Sequence, residues 1–124
     1  VLHGDISGNN VFLDENLNAK LGDFAGSSID GADALVAYES RYTHPSMEET
    51  TVASDLFALG SMIYEILTGH RPYEEKSSRE VEKAFDREQY PDLKPLGRFE
   101  KVVGKCWSQK YQSADDLLLE LKAL

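Results

Sequence analysis

The chain holds a single cysteine, Cys106, among 124 residues, so no disulfide can form within it. A fold without that cross-link depends on a buried apolar core, and such thiol usage fits a reducing, intracellular (cytoplasmic) compartment. Cys106 stands in "VVGKCW" beside Trp107, which points to a buried structural thiol rather than a nucleophile. Long hydrophobic runs are missing as well. The most apolar stretch, "LFALGSMIYEIL", is shorter than the about 20 residues that cross a bilayer, so no membrane partner is expected. No secretory signal is visible. Positive charge is scarce: 13 Lys and Arg face 22 Asp and Glu, for a net charge of −9. Nucleic-acid surfaces draw their affinity from Lys and Arg on phosphates, so no nucleic-acid partner is expected either.

What is present suits one small globular domain, with 41% hydrophobic and 28% charged residues. "NVFLD" and "NAKLGD" are short apolar stretches joined by "ENL", with Asp14, Asn16 and Asn18 as turn formers. They predict a β-hairpin over Val11–Leu13 and Ala19–Leu21. From Ala25 to Ser46 periodicity is lost, and long loops inside compact domains are usually functional. "SMEE" fits a capping box for one helical turn over Ser46–Thr50. The strongest helical signal is "SDLFALGSMIYEILTG", with Ser54 as N-cap, Asp55 in the first turn and Gly69 as the stop. Leu56, Leu59, Ile63, Ile66 and Leu67 form one face, broadened by Phe57 and Met62, which predicts a central, buried helix.

Three further helices are expected: one capped by Ser77 with Glu80, an amphipathic one in "GRFEKVVGKCW", and one capped by Ser113 with Asp116. In the last, Leu117, Leu118, Leu121 and Leu124 are the expected core. The fold class is therefore α+β, mainly α-helical, with a small hairpin and about four helices.

A phosphoryl-transfer site needs a carboxylate for the proton of the attacking hydroxyl, and hard oxygen ligands for Mg²⁺. The chain offers His3-Gly4-Asp5, then Asn10 five residues after that aspartate, then Asp23 beyond the predicted hairpin. A hairpin brings its two ends together, so these groups can converge. Each residue also has a plainer reading: Asp5 and Asn10 as turn formers, Asp23 as a strand-end residue, His3 as a satisfied loop histidine. His44 and His70 show no ligand spacing and read as structural or solvated.

The spacing H-x-D-x-x-x-x-N followed by "DFA" resembles the catalytic and metal-binding loops of the eukaryotic protein kinases. The resemblance runs along the chain in the order of a kinase C-terminal lobe. "RYTHPS" is similar to the A-P-E end of the activation segment, "SDLFALG" to the D-x-W-x-x-G of the central helix, and "LTGHRPY" and "KCW" to later landmarks. The resemblance implies Asp5 as catalytic base, Asn10 and Asp23 as Mg²⁺ ligands, and ATP as the nucleotide. It also implies Phe12 beneath the adenine, His3 as a loop anchor, Phe24 packed behind Asp23, and Asp55 holding the loop's backbone. The implied partner is a protein substrate.

Departures from the family pattern bear on activity. The arginine of H-R-D is Gly4, so switching through a phosphorylated activation loop is not expected. The loop lysine or arginine that meets the γ-phosphate is absent, with Ser7, Gly8 and Asn9 in its place. Glycine of D-F-G is Ala25, and glutamate of A-P-E is Ser46. No Gly-rich loop, V-A-I-K lysine or partner glutamate precedes Val1, so residues 1–124 read as a partial kinase domain, a fragment expected to bind ATP poorly alone. The missing N-lobe or a regulatory protein is then a further partner. Three readings follow: a protein kinase acting on Ser/Thr by default, or on Tyr; a pseudokinase-like scaffold or binding module; and a small-molecule phosphotransferase of the aminoglycoside or choline kinase type. "DFA", "RYTHPS" and "SDLFALG" fit the last less well.

Overall fold

The first chain reversal is organised by one side chain. Asp14 Oδ1 accepts the backbone N–H groups of Asn16 and Asn18, both at 2.9 Å, and Leu17 takes a left-handed φ of 62°. Aspartate favours such turns because its short carboxylate stands in for a backbone acceptor. The flanking strands, β1 (Val11–Leu13) and β2 (Ala19–Leu21), pair antiparallel in the register Val11↔Leu21, Phe12↔Lys20 and Leu13↔Ala19, as the sequence predicts. The computed structural model describes residues 2–22, 39–47 and 49–124.

Four helices complete the described residues: α1 (Val52–Thr68), α2 (Ser78–Asp86), α3 (Glu100–Trp107) and α4 (Ala114–Lys122). With one two-stranded antiparallel sheet, the architecture is α+β and mainly helical. Short 3-10 turns cover Gly8–Asn10, Ser40–Tyr42 and Lys94–Phe99.

The start of α1 differs from the expectation. Thr51, not Ser54, is the N-cap, and Ser54 sits at the third helical position. The two residues satisfy each other: Ser54 N donates to Thr51 Oγ1 at 3.1 Å and Thr51 N to Ser54 Oγ at 2.7 Å. Threonine caps through the same hydroxyl chemistry, so the helix gains residues 52 to 54. Gly69 ends it as expected, at a left-handed φ of 83°. The helical turn expected over Ser46–Thr50 is also corrected. The nearby helical turn is Ser40–Tyr42, the described residues of Ser46–Thr50 are not helical, and the Ser46 hydroxyl meets His44 Nδ1 at 2.7 Å.

α1 is central, and Leu56, Leu59 and Ile63 of the expected face pack against the core, but the face is displaced from the one the leucine spacing suggests. Phe57, Ala58 and Ser61 are wholly buried, while Ile66 and Leu67 are exposed. The reason is a close helix crossing. A Cβ placed on Gly60 would lie 2.5 Å from Cys106 Cβ, so the glycine lets α3 sit directly against α1. Trp107 then reaches across, and its indole N–H donates to Ser61 Oγ at 2.9 Å. Around this crossing Phe57, Tyr64, Val81, Phe85, Leu96 and Val103 close the main core. Tyr90 stacks on Trp107 with ring centroids 5.4 Å apart. Burying large side chains of this kind contributes about 1.5–3 kcal/mol each.

The caps of α2 and α4 follow the sequence. Ser77 and Glu80 form a reciprocal box, and Ser113 Oγ accepts from Asp116 N. In α4 only Leu117 is fully buried and Leu121 packs beside it, whereas Leu118 and Leu124 are exposed. A helix of nine residues that packs chiefly on α3 covers a single narrow stripe, which corrects the four-leucine core.

Candidate active site

Asp55, in the first turn of α1, accepts two consecutive backbone N–H groups: His3 N at 2.8 Å and Gly4 N at 3.0 Å. A bidentate carboxylate on adjacent amides fixes the direction of that peptide, and charge makes each bond stronger than a neutral one. Gly4 takes a left-handed φ of 84°, a conformation that favours glycine over the arginine the family pattern places there.

His3 ties the same loop to the end of the hairpin. Its ring is buried; Nδ1 accepts the Asp5 N–H at 3.0 Å, and Nε2 lies 2.6 Å from the Gly22 carbonyl oxygen. An Nδ1 that accepts leaves the proton on Nε2, so the ring donates to Gly22 as the neutral tautomer. The histidine is thus a structural bridge between the loop at Asp5 and the residue before Asp23.

Asn10 adds a second bridge. Its Nδ2 donates to the Asp5 carbonyl at 2.7 Å and to Asp5 Oδ2 at 3.1 Å. Its backbone oxygen accepts the Gly22 N–H at 2.8 Å. The side-chain donors are therefore spent on Asp5, and Oδ1 keeps its lone pairs free of any donor among the described residues. Asp5 is half-buried and Asn10 is buried, so the structure brings these two expected site residues together. Phe12 lies on β1, 55% exposed, with its ring edge against Gly22, where an added Cβ would meet Cε2 at 2.7 Å. Asp23, with Phe24 and Ala25, falls outside the described residues.

Beside Asp5 opens a cleft of about 180 Å³, whose walls also carry Ser7, Glu39, Tyr42, Glu65 and Arg71. The Tyr42 hydroxyl donates to Glu65 Oε2, and burial pushes the Glu65 carboxyl above its usual range, with Arg71 pulling it back. Arg41, buried behind this wall, pairs with Glu39 at 2.9 Å and donates to the backbone oxygens of Tyr73 and Lys76. Its Nε has no hydrogen-bond partner among the described residues. His44 is buried edge-on against Phe57 at 6.1 Å, and His70 lies edge-on to Tyr64 at 5.7 Å, so both are structural.

Glu39, Glu65 and Arg71 were not singled out by sequence reasoning. They stand far from Asp5 in the chain, and each taken alone is an ordinary charged residue. The only signal was that Tyr42 and Arg71 sit in "RYTHPS" and "GHRPY", the segments that resemble family landmarks.

Residues 1–122 match the protein kinase domain. The chain belongs to that family. Among its relatives, the L-type lectin-domain containing receptor kinase V.2 of Arabidopsis thaliana is 40% identical over 58% of this chain and 12% of its own length. The serine/threonine-protein kinase PknK of Mycobacterium bovis is 33% identical over 77% of this chain and 10% of its own. The dual specificity protein kinase pyk3 of Dictyostelium discoideum is 27% identical over 100% of this chain and 10% of its own. The kinase-family chain thus spans only about a tenth of the length of these relatives. No helix among its described residues is long and apolar enough to cross a membrane.

Proposed function

We propose that the intact protein is a protein kinase that transfers the γ-phosphoryl group of MgATP to a Ser, Thr or Tyr hydroxyl of a protein substrate. The observation that carries this reading is the Asn10–Asp5 pair. One loop holds a half-exposed carboxylate and, hydrogen-bonded to it at 3.1 Å, an amide whose remaining oxygen suits a hard cation. In this reading Asp5 orients the substrate hydroxyl and accepts its proton, while Asn10 Oδ1 and Asp23 are the Mg²⁺ ligands. The cation, when bound, neutralises charge on the transferring phosphoryl group. Phe12 offers an exposed apolar face on β1 for the adenine.

The donor set fits that group. Asn10 Nδ2 is turned onto Asp5, so the amide presents oxygen rather than nitrogen to the site. Residues 1–124 then form a partial kinase domain: catalytic loop, activation segment and C-terminal helices. The cover over the phosphates comes from the N-lobe of the intact protein.

A second reading is favoured by one specific residue. Ser7 stands where a cation would meet the γ-phosphate, which supports a pseudokinase-like scaffold or binding module. Thermal unfolding of the intact protein with ATP, in the presence and absence of Mg²⁺, separates the two when read with turnover on peptides. A Mg²⁺-dependent rise in Tm together with turnover supports the enzyme. The absence of both removes it.

A further inference from the structure

Positive charge in this chain is gathered in one place. Residues 94–110 carry five Lys and Arg against a single acidic residue, Glu100, in a chain whose net charge is −9. Three of the five, Arg98, Lys101 and Lys105, are spaced i, i+3 and i+7 along α3 and the turn that leads into it, so they share one side of the helix. Glu100 falls on the opposite side, and Val103 and Trp107 bury the face that meets α1. The stripe therefore points away from the core.

Very little compensates it. Lys105 Nζ lies 3.1 Å and Lys101 Nζ 4.0 Å from the same oxygen, Glu120 Oε1, so one carboxylate of α4 serves two ammonium groups. The other Glu120 oxygen is taken by the Tyr111 hydroxyl. Lys101 is 79% exposed. Arg98 is exposed too, its Cζ 5.3 Å from the centroid of the Phe99 ring, and it has no ion pair among the described residues. A guanidinium laid against a ring keeps N–H donors for a further ligand. Lys110 follows at the end of the helix, its N–H bonded to the Lys105 carbonyl at 2.9 Å. None of these cations lines the cleft beside Asp5.

Size and surroundings decide what fits. From Arg98 to Lys105 the stripe runs about 10 Å at ~1.5 Å per residue. That is about three residues of extended peptide, in which alternate side chains point the same way, about 7 Å apart. Screening confines the attraction to about 8 Å at physiological salt. A membrane or a nucleic acid reaches past the stripe and meets Glu100 across α3 and Asp116, one turn before Glu120 on α4. A short segment with two or three carboxylates meets only the cations.

We propose that the outer side of α3, formed by Arg98, Lys101 and Lys105, is a docking surface for a short acidic segment of a partner protein, with carboxylates at alternate positions. Binding there is separate from phosphoryl transfer at Asp5 and is read without turnover.

The test titrates the intact protein into a fluorescein-labelled Asp-Gly-Asp-Gly-Asp peptide, with the Lys-Gly-Lys-Gly-Lys peptide as its counterpart, and reads anisotropy. The acidic peptide should bind and the basic one should not, and added salt should weaken the complex. Arg98→Glu with Lys101→Glu should lower affinity at least about tenfold, as two exposed charge contacts allow. Arg79→Glu with Lys83→Glu changes the net charge equally on the exposed side of α2 and should keep most of the affinity. An equal loss in both double variants overturns the proposal, because net charge alone then explains binding. No binding of the acidic peptide at millimolar protein overturns it as well. So does tighter, Arg98- and Lys101-dependent binding of an oligothymidylate or of phosphatidylserine vesicles, which would assign the stripe to another class of ligand. If the α3 double variant fails to fold, Lys101→Gln decides: a loss of about two- to fivefold supports the surface, and unchanged affinity rejects it.

Discussion

The Asp55 carboxylate accepts the His3 N–H at 2.8 Å and the Gly4 N–H at 3.0 Å, although the two segments lie more than 50 residues apart in sequence. One side chain in the first turn of the buried central helix thus sets the backbone immediately before Asp5. The loop that carries the candidate base is anchored to the most deeply packed element of the fold.

Asp55→Asn should loosen that anchor. The amide keeps one acceptor oxygen but turns an N–H₂ toward the second backbone donor, leaving that peptide unsatisfied. Loss of a charge-assisted acceptor should cost about 1–3 kcal/mol of stability in urea denaturation. Turnover in the intact protein should fall further than stability alone explains, because Asp5 follows the displaced peptide.

Gly60→Ala tests the crossing of α1 and α3. The new methyl would sit 2.5 Å from Cys106 Cβ, so one helix must move. Overpacking of this kind costs about 1–3 kcal/mol. Cys106→Ala should not rescue it, since that change keeps the offending Cβ. A double variant no more stable than Gly60→Ala alone, measured by thermal unfolding, meets this expectation.

Alkaline stability should carry the mark of Cys106. Burial pushes the thiol up to about 12, with Glu120 adding to the rise and Lys105 opposing it. The unfolded thiol titrates near about 8.5. Between those values the native state holds a proton that the unfolded state has lost, so stability falls as pH rises. It should be flat below about pH 8.5 and then lose about 1.4 kcal/mol per pH unit from this group. Tyr90, pushed up to about 12 by burial, adds to the loss at higher pH. Subtracting the curve of Cys106→Ala from that of the wild type isolates the thiol. The same burial predicts that a thiol reagent labels Cys106 only on unfolding.

Much of this arrangement is legible in the chain, for local reasons. The hairpin follows from Asp14 and two asparagines, the end of α1 from Gly69, and the start of α2 from Ser77 and Glu80, whose effects act within a few positions. Family membership is legible because His3, Asp5 and Asn10 keep a fixed spacing. What is not legible depends on close approach between distant segments. Gly60 reads as a helix weakness, yet it sets which face of α1 is deepest, and so leaves Ile66 and Leu67 exposed. The leucines of α4 share one pattern, but among the described residues Leu117 and Leu121 join the core while Leu118 and Leu124 are exposed. Arg71 reads as a connector residue and becomes a wall of the cleft only when the α1–α2 connection folds back beside Asp5.

The central claim is that Asp5 serves as the proton acceptor in phosphoryl transfer, and Asp5→Asn tests it most directly. Asparagine keeps the side chain's size and can still accept from Asn10, but it takes no proton. Phosphate transfer from MgATP to a peptide hydroxyl should be measured for the intact protein and this variant side by side. The account predicts a loss in kcat of about 10²–10⁴-fold, with the Mg²⁺-dependent rise in Tm on ATP binding retained. Wild-type rates in Asp5→Asn would contradict it.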